Sequence, residues 1–216
     1  MRERGTKLNR GTHEASSRQH GFSLIELCIV VMLIVIISAI ALVAYLPTLQ
    51  DARFDAAMRE IVEQLRQARE DSISNRRYLQ VTFPTVVVGG ITQYQVVITQ
   101  RNDLPPTNGV IPNAVLSTIP IEAPARYLVF PGAPDTPDAF GNAAPVVFEG
   151  TVGGPLGGML FQSDGELVDG TTLQPINGTV FVGYPGNGTA SRAITVLGGT
   201  GRIRGWKGTG NSWFRF

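Results

Sequence analysis

From Leu27 to Leu46 the chain reads LCIVVMLIVIISAIALVAYL, 20 residues without a charge. A helix rises about 1.5 Å per residue, so this run spans about 30 Å, the hydrocarbon thickness of a bilayer. A segment so long and apolar has to be covered by lipid or by other helices. The rest of the chain is then a head on an anchor. Ahead of the run, Arg2, Arg4, Lys7, Arg10 and Arg18 stand against Glu3 and Glu14, a net charge of +3. Positive charge before a span keeps that end cytoplasmic, which puts residues after about 50 on the outside, the periplasm in a bacterium. A cleaved secretory signal would end its apolar run on small residues, whereas Tyr45-Leu46-Pro47 is bulky. The run is expected to stay on the protein.

Glu26 does not suit a plain anchor, because a carboxylate in a membrane helix costs up to ~3 kcal/mol at its centre and less near its end. It needs a partner, and Gly21-Phe22-Ser23-Leu24-Ile25 suggests one. Cutting after Gly21 makes Phe22 a new N-terminus, whose α-amine is charged below about pH 8. In a packed array of such helices, Glu26 of one subunit can neutralise the amine of the next.

The rare residues narrow the chemistry. The histidines, His13 and His20, precede Gly21, and the single cysteine, Cys28, lies in the apolar run. A head without imidazole or thiol excludes Ser/His/Asp and Cys/His catalysis, zinc sites built on His or Cys, and an intrachain disulfide. No cofactor is implied. An anchored periplasmic enzyme is the weakest of the function classes.

After Pro47, Phe54, Ala57, Met58, Ile61, Leu65, Ala68 and Ser72 recur at three- and four-residue spacing, an apolar face suited to packing on a sheet. Asp55/Arg59, Arg59/Glu63 and Arg66/Glu70 are expected as i,i+4 pairs on the solvated side. The helix is predicted over 22–75, with its first half in lipid or filament core. Beyond Arg77 short β-type runs alternate with turn residues. Strands are expected at 79–83, 93–99, 127–130, 146–148, 159–162, 179–183, 193–197, 202–206 and 213–216. Ten of the 14 prolines fall between Pro105 and Pro155, which makes 102–158 loop-rich.

The basic leader, Gly21-Phe22-Ser23-Leu24-Ile25-Glu26 and the apolar run together resemble the class III leader of type IV pilins and type II secretion pseudopilins. The resemblance implies that a prepilin peptidase cuts between Gly21 and Phe22 and N-methylates Phe22, with Glu26 guiding assembly. The family often has a helix proline near the place of Val43; here Pro47 comes one turn later. Leu65-Arg66-Gln67-Ala68-Arg69-Glu70-Asp71-Ser72-Ile73 is similar to a pattern of the GspH/FimT branch. Leu160-Phe161-Gln162-Ser163-Asp164-Gly165 followed by Thr179-Val180 resembles its central hairpin, and Arg192 to Val196 with Thr200-Gly201-Arg202-Ile203-Arg204 its closing strands. The implied fold is α+β, a long N-terminal helix packed on an antiparallel two-sheet β head. The implied layout is a leader at 1–21, the helix at 22–75 with its membrane part about 27–46, and a periplasmic head at 76–216. The implied role is that of a minor pseudopilin, or alternatively a minor pilin, in the inner membrane. Its partners would be the peptidase, other minor and major pilins or pseudopilins, the assembly platform, and a secreted substrate or DNA.

After Asp169 every charged residue is basic: Arg192, Arg202, Arg204, Lys207 and Arg215, a net +5. If 202–206 is a strand, Arg202, Arg204 and Trp206 share one face, the two guanidinium groups ~6.6 Å apart along it, while Ile203 faces the core. With Lys207 they are candidates for binding DNA or a partner, the aromatic stacking on bases and the cations meeting phosphates. Such arginines also protect a sheet edge from aggregation. Residues 102–170 are acidic by contrast, eight carboxylates against Arg126, net −7. That arrangement suggests head-to-tail pairing between neighbouring subunits. Asp164, Glu166 and Asp169 lack EF-hand spacing, and Asp164-Gly165 reads as a turn, so no metal site is expected.

Overall fold

The computed structural model describes residues 23–104, 112–148, 151–152, 158–184 and 187–216. By its internal contacts the chain divides into two compact units, Met1–Tyr45 and Leu46–Phe216. Helix α1 runs Leu24–Ser74, helical through Pro47. In the first unit, 23–43 are all exposed, with apolar side chains such as Ile34 and Ile40 uncovered. This helix is long and apolar enough to cross a membrane.

The second unit is an α+β head. The strands in chain order are β1 (Tyr78–Thr82), β2 (Thr85–Val88), β3 (Ile91–Arg101), β4 (Ala114–Pro120), β5 (Arg126–Tyr127), β6 (Val146–Phe148), β7 (Thr151–Val152), β8 (Gly158–Phe161), β9 (Leu167–Val168), β10 (Gly178–Tyr184), β11 (Asn187–Leu197), β12 (Arg202–Thr209) and β13 (Ser212–Arg215). Among the described residues they form two antiparallel sheets. One is ordered β2-β3-β1-β8-β9 with β4 on the other edge of β3; the second is β13-β12-β11-β10-β6-β7, with β5 also on β10.

The apolar face of α1 explains how these layers close. Phe54, Met58, Ile61, Leu65 and Ala68 are buried in one core with Leu79 and Val81 of β1, Met159 and Phe161 of β8, Val180 and Val182 of β10, and Ile194 and Val196 of β11. The inner faces of both sheets thus meet the helix, and the period-2 alternation of each strand sends its other residues outward. In the second sheet, Phe181, Ala193 and Trp206 build a smaller outer cluster with Val129 and Trp213.

Four corrections follow. Strand 127–130 is only Arg126–Tyr127, since Leu128 makes a single backbone bond to Phe181 and the chain then turns away. The expected hairpin joining Leu160-Phe161 to Thr179-Val180 does not form: β8 turns back into β9 in the first sheet, while β10 belongs to the second. Strands β2, β4, β7 and β9 were not expected. Finally, the expected i,i+4 pairs on α1 are not among the ion pairs of the described residues: Asp55 is taken by cations of the sheet, and Arg59 lies over the Phe216 ring, 5.1 Å from its centroid.

Candidate functional sites

On the helix side of the second sheet, Arg192 of β11 lies on the same strand face as Ile194 and Val196, with its side chain fully buried. Its Nε donates to Asp55 Oδ1 at 2.6 Å, and Asp51 Oδ1 lies 3.9 Å from Nη2. Lys207 pairs in register with Arg192, and its Nζ lies 3.6 Å from the other oxygen of Asp55. Asp51, Asp55 and Met58 share a helix face, so two carboxylates at the start of the head's helix meet two cations of the sheet. The Arg192–Asp55 clamp went unread in the sequence. The available signal was Arg192 itself, two residues from Ile194 on the buried face of its strand.

On the other face of β12 the expected alternation holds: Ile203 packs on the inner core while Arg204 and Trp206 face outward. That outer face is covered. The Trp206 indole N–H donates to Thr195 Oγ1 at 2.9 Å, the Thr195 hydroxyl donates to Asp138 Oδ2 at 2.6 Å, and Arg204 pairs with Asp138 Oδ1. Trp213 Nε1 donates to the Pro134 carbonyl at 2.9 Å. The Pro-rich segment around 128–142 therefore straps the outer sheet face, with Asp135 capping its own loop through the N–H groups of Thr136 and Gly141. Trp206 is buried and Arg204 neutralised, so the two do not present an open stacking platform. Of the four candidates only Arg202 is exposed; it shares a shallow cleft of about 300 Å³ with Arg66, Arg69 and Glu70.

The acidic middle is likewise largely engaged within the chain. Besides Asp138, Asp103 accepts from Arg101, Asp164 from the N–H of Glu166, and Asp169 from the N–H groups of Thr171 and Thr172. Asp164, Glu166 and Asp169 serve their own turns.

At the far end of α1, Arg69 joins three separate stretches. Its Nε donates to the Gly165 carbonyl at 3.2 Å and its Nη2 to the Thr200 carbonyl at 3.0 Å. Gly201 follows at a φ of 59°, and a Cβ there would lie 1.9 Å from the Gly165 oxygen. The helix pattern around Leu65–Ile73, the Asp164-Gly165 turn and the Thr200-Gly201-Arg202 turn thus meet at one side chain.

At the N-terminal site, Gly21 and Phe22 lie outside the described residues. Leu27 N–H donates to the Ser23 carbonyl at 3.1 Å, so helical bonding begins at Ser23. Glu26 stands in the first turn of α1, exposed, as the acidic group of an otherwise apolar surface. A carboxylate at that place complements the partial positive charge of a helix N-terminus. Residues 16–42 match the family model of the prokaryotic N-terminal methylation motif. The match takes in Gly21, Phe22, Glu26 and most of the apolar run, and supports a type IV pilin or pseudopilin class. For a chain carrying this motif the implied partners are a prepilin peptidase and other pilins, and the apolar helix is consistent with anchoring in the inner membrane. Proteins of this motif class are typically structural. Comparison with curated proteins and with solved structures gives no match.

Proposed function

We propose that this chain is a minor pseudopilin of the type II secretion system, a non-catalytic subunit at the initiating end or tip of the periplasmic pseudopilus. Cleavage between Gly21 and Phe22 discards the basic leader, Phe22 is N-methylated, and Glu26 meets the amine of a neighbouring subunit as the apolar helices pack. The observation that supports the GspH/FimT branch is the Arg69 junction, where the three stretches that resemble that branch are tied together by two hydrogen bonds. Sequence patterns far apart in the chain that converge on one side chain are what a shared scaffold would require.

The test is an in-frame deletion scored for both exoprotein secretion and natural transformation, complemented by the wild-type chain and by Glu26→Gln. Loss of secretion, restored by the wild type and not by Glu26→Gln, is the expected result; unimpaired secretion with impaired transformation rejects the secretion role. That second outcome belongs to a FimT/FimU-like minor pilin that binds DNA for uptake. One observation favours this reading, the exposed Arg202 beside Arg66 and Arg69. If changing Arg202 and Arg204 to alanine leaves DNA affinity and its salt slope unaltered, the DNA reading is rejected.

A further inference from the structure

Strand β3 is paired on one side along its length and on the other along only part of it. β1 and then β2 flank it between Arg101 and Ile91. On the opposite side β4 pairs from Gln100 to Gln95 and goes no further. Hydrogen bonds show which way the uncovered residues point. The Tyr94 carbonyl accepts from Ile121 N–H at 2.8 Å on the β4 side, while Gln95 N–H donates to the Pro84 carbonyl at 3.0 Å on the other. Backbone groups alternate sides along a strand, so Thr92 presents its N–H and C=O on the β4 side, as Tyr94 does. After Ile121 the chain leaves that track, turning at Ala123-Pro124 with Ala125 N–H on the Glu122 carbonyl. Among the described residues no strand faces Thr92 there. An open donor and acceptor on a strand edge are a template for another strand.

This open edge borders a groove. It measures about 510 Å³ and runs beside Thr92 and Tyr94, bounded by Ile121, Pro124, Tyr184 and Arg126. That size suits a ligand segment. Tyr94 shares a strand face with Val96 and Ile98, which are buried in the core. The Tyr94 ring packs edge-on against Tyr127 at 5.6 Å, and Tyr184, on the second sheet, lies 6.1 Å from the buried Phe54. The groove therefore opens at the edge of the core between the two sheets, walled by aromatic rings and proline. Its rim is cationic. Arg126 is exposed, is the one basic residue of 102–170, and belongs to no ion pair among the described residues. Ile91, 68% exposed, stands on the other face of β3 at the same end.

We propose that this groove takes an extended acidic segment of a partner protein, added as a strand to β3. The segment runs antiparallel to β3 in the track that β4 leaves at Ile121, exchanging N–H and C=O bonds with Thr92. About four residues, at about 3.3 Å each, match Ile91 to Tyr94. Alternate side chains turn inward, where an apolar one lies among Tyr94, Tyr184 and Pro124, and outward past Ile91. A carboxylate on the segment pairs with Arg126. The edge selects a peptide over a lipid or a nucleic acid, since neither of those repeats a donor and an acceptor at strand spacing. Arg126 selects an acidic peptide over a basic one. All of these residues belong to the head, so the site serves the secretion and the pilus reading alike.

The test titrates the full chain in detergent against fluorescein-labelled, end-blocked seven-residue peptides, read by anisotropy. The peptides alternate valine and threonine around a central aspartate or, in its place, a lysine. Saturable binding up to millimolar peptide is expected, the aspartate peptide about threefold tighter, and Arg126→Glu should reverse that order. Thr92→Pro removes the N–H that faces the groove and spares the pairing with Val87, because a strand edge tolerates proline. It should weaken binding at least about tenfold, whereas Thr92→Val, which keeps the backbone donor, should bind as wild type. The absence of saturable binding, equal binding of the two peptides, or wild-type affinity in Thr92→Pro each overturns the proposal. Should Thr92→Pro lower the Tm, the charge exchange in Arg126→Glu decides alone. Dimerisation of the wild type with no peptide bound, lost in Thr92→Pro, assigns the groove to a second copy of the chain and also overturns the proposal.

Discussion

Arg192 is the side chain on which the joint between α1 and the second sheet depends most. It is fully buried, its partner Asp55 is 19% exposed, and Lys207 approaches the second oxygen of the same carboxylate. Breaking one side of a buried ion pair leaves the other charge in low dielectric, which typically costs about 3–5 kcal/mol. Arg192→Ala is therefore expected to lower the unfolding free energy of the head by about 3 kcal/mol, Lys207 compensating part of the charge. Asp51→Asn should change it by less than ~0.5 kcal/mol, because Asp51 is 49% exposed and 3.9 Å away. Urea titration followed by tryptophan fluorescence measures both, and equal effects from the two variants would contradict this division of roles. The alternation of β12 made the common face of Arg204 and Trp206 legible from sequence. What covers that face was not legible. Asp138 lies 66 residues before Arg204, in a segment without periodicity, and only the folded strap brings them together.

Elements were legible where their own residues carried the signal. The apolar spacing of Phe54 to Ala68 and the β-branched runs of β1, β3, β10 and β11 identify themselves. β2 follows Pro84, which removes a donor and breaks the run, yet it continues the register of β1 along β3: Thr82 pairs with Val97 and Thr85 with Tyr94. β4 lies amid prolines and exists through its pairing with β3. The turn before β12 shows how closely such elements are fitted. Gly201 adopts a positive φ and has the Gly165 carbonyl where a Cβ would stand. Gly201→Ala must strain the backbone and push that turn from Arg69, at a cost of about 1–3 kcal/mol. Thermal unfolding should show a lower Tm for Gly201→Ala, and Gly199→Ala, whose added Cβ meets nothing within 4 Å, should stay near wild type. Equal Tm values for all three proteins would mean that the Arg69 junction is not tight.

For the molecule as a whole, the charge segregated along the sequence is joined in part in space: Asp138 of the acidic middle pairs with Arg204 on the outer sheet face, and Asp55 of α1 holds Arg192 and Lys207 on the inner one. This bears on pH. The unit Leu46–Phe216 contains neither histidine nor cysteine, so no side chain there has an ordinary pKa between 5 and 8. The shifted carboxylates lie on the acid side. A hydrogen bond from Arg101, working against desolvation, holds Asp103 at about 2, below its ordinary 3.8. Asp169, against the desolvation that would raise it, is kept low by the N–H groups of Thr172 and Thr171. A folded pKa below the unfolded one means a contribution fully present above about pH 4 and lost as pH falls through the folded value. Asp103 is well exposed, so solvent screens its share. The Tm of the full chain in detergent should accordingly be flat from pH 8 to 5 and fall below pH 4, with a shallower fall in Asp103→Asn. A drop in Tm between pH 7 and 5 would require a titrating group in that range, and in the full chain the side chains with such an ordinary pKa are His13 and His20, which precede the head.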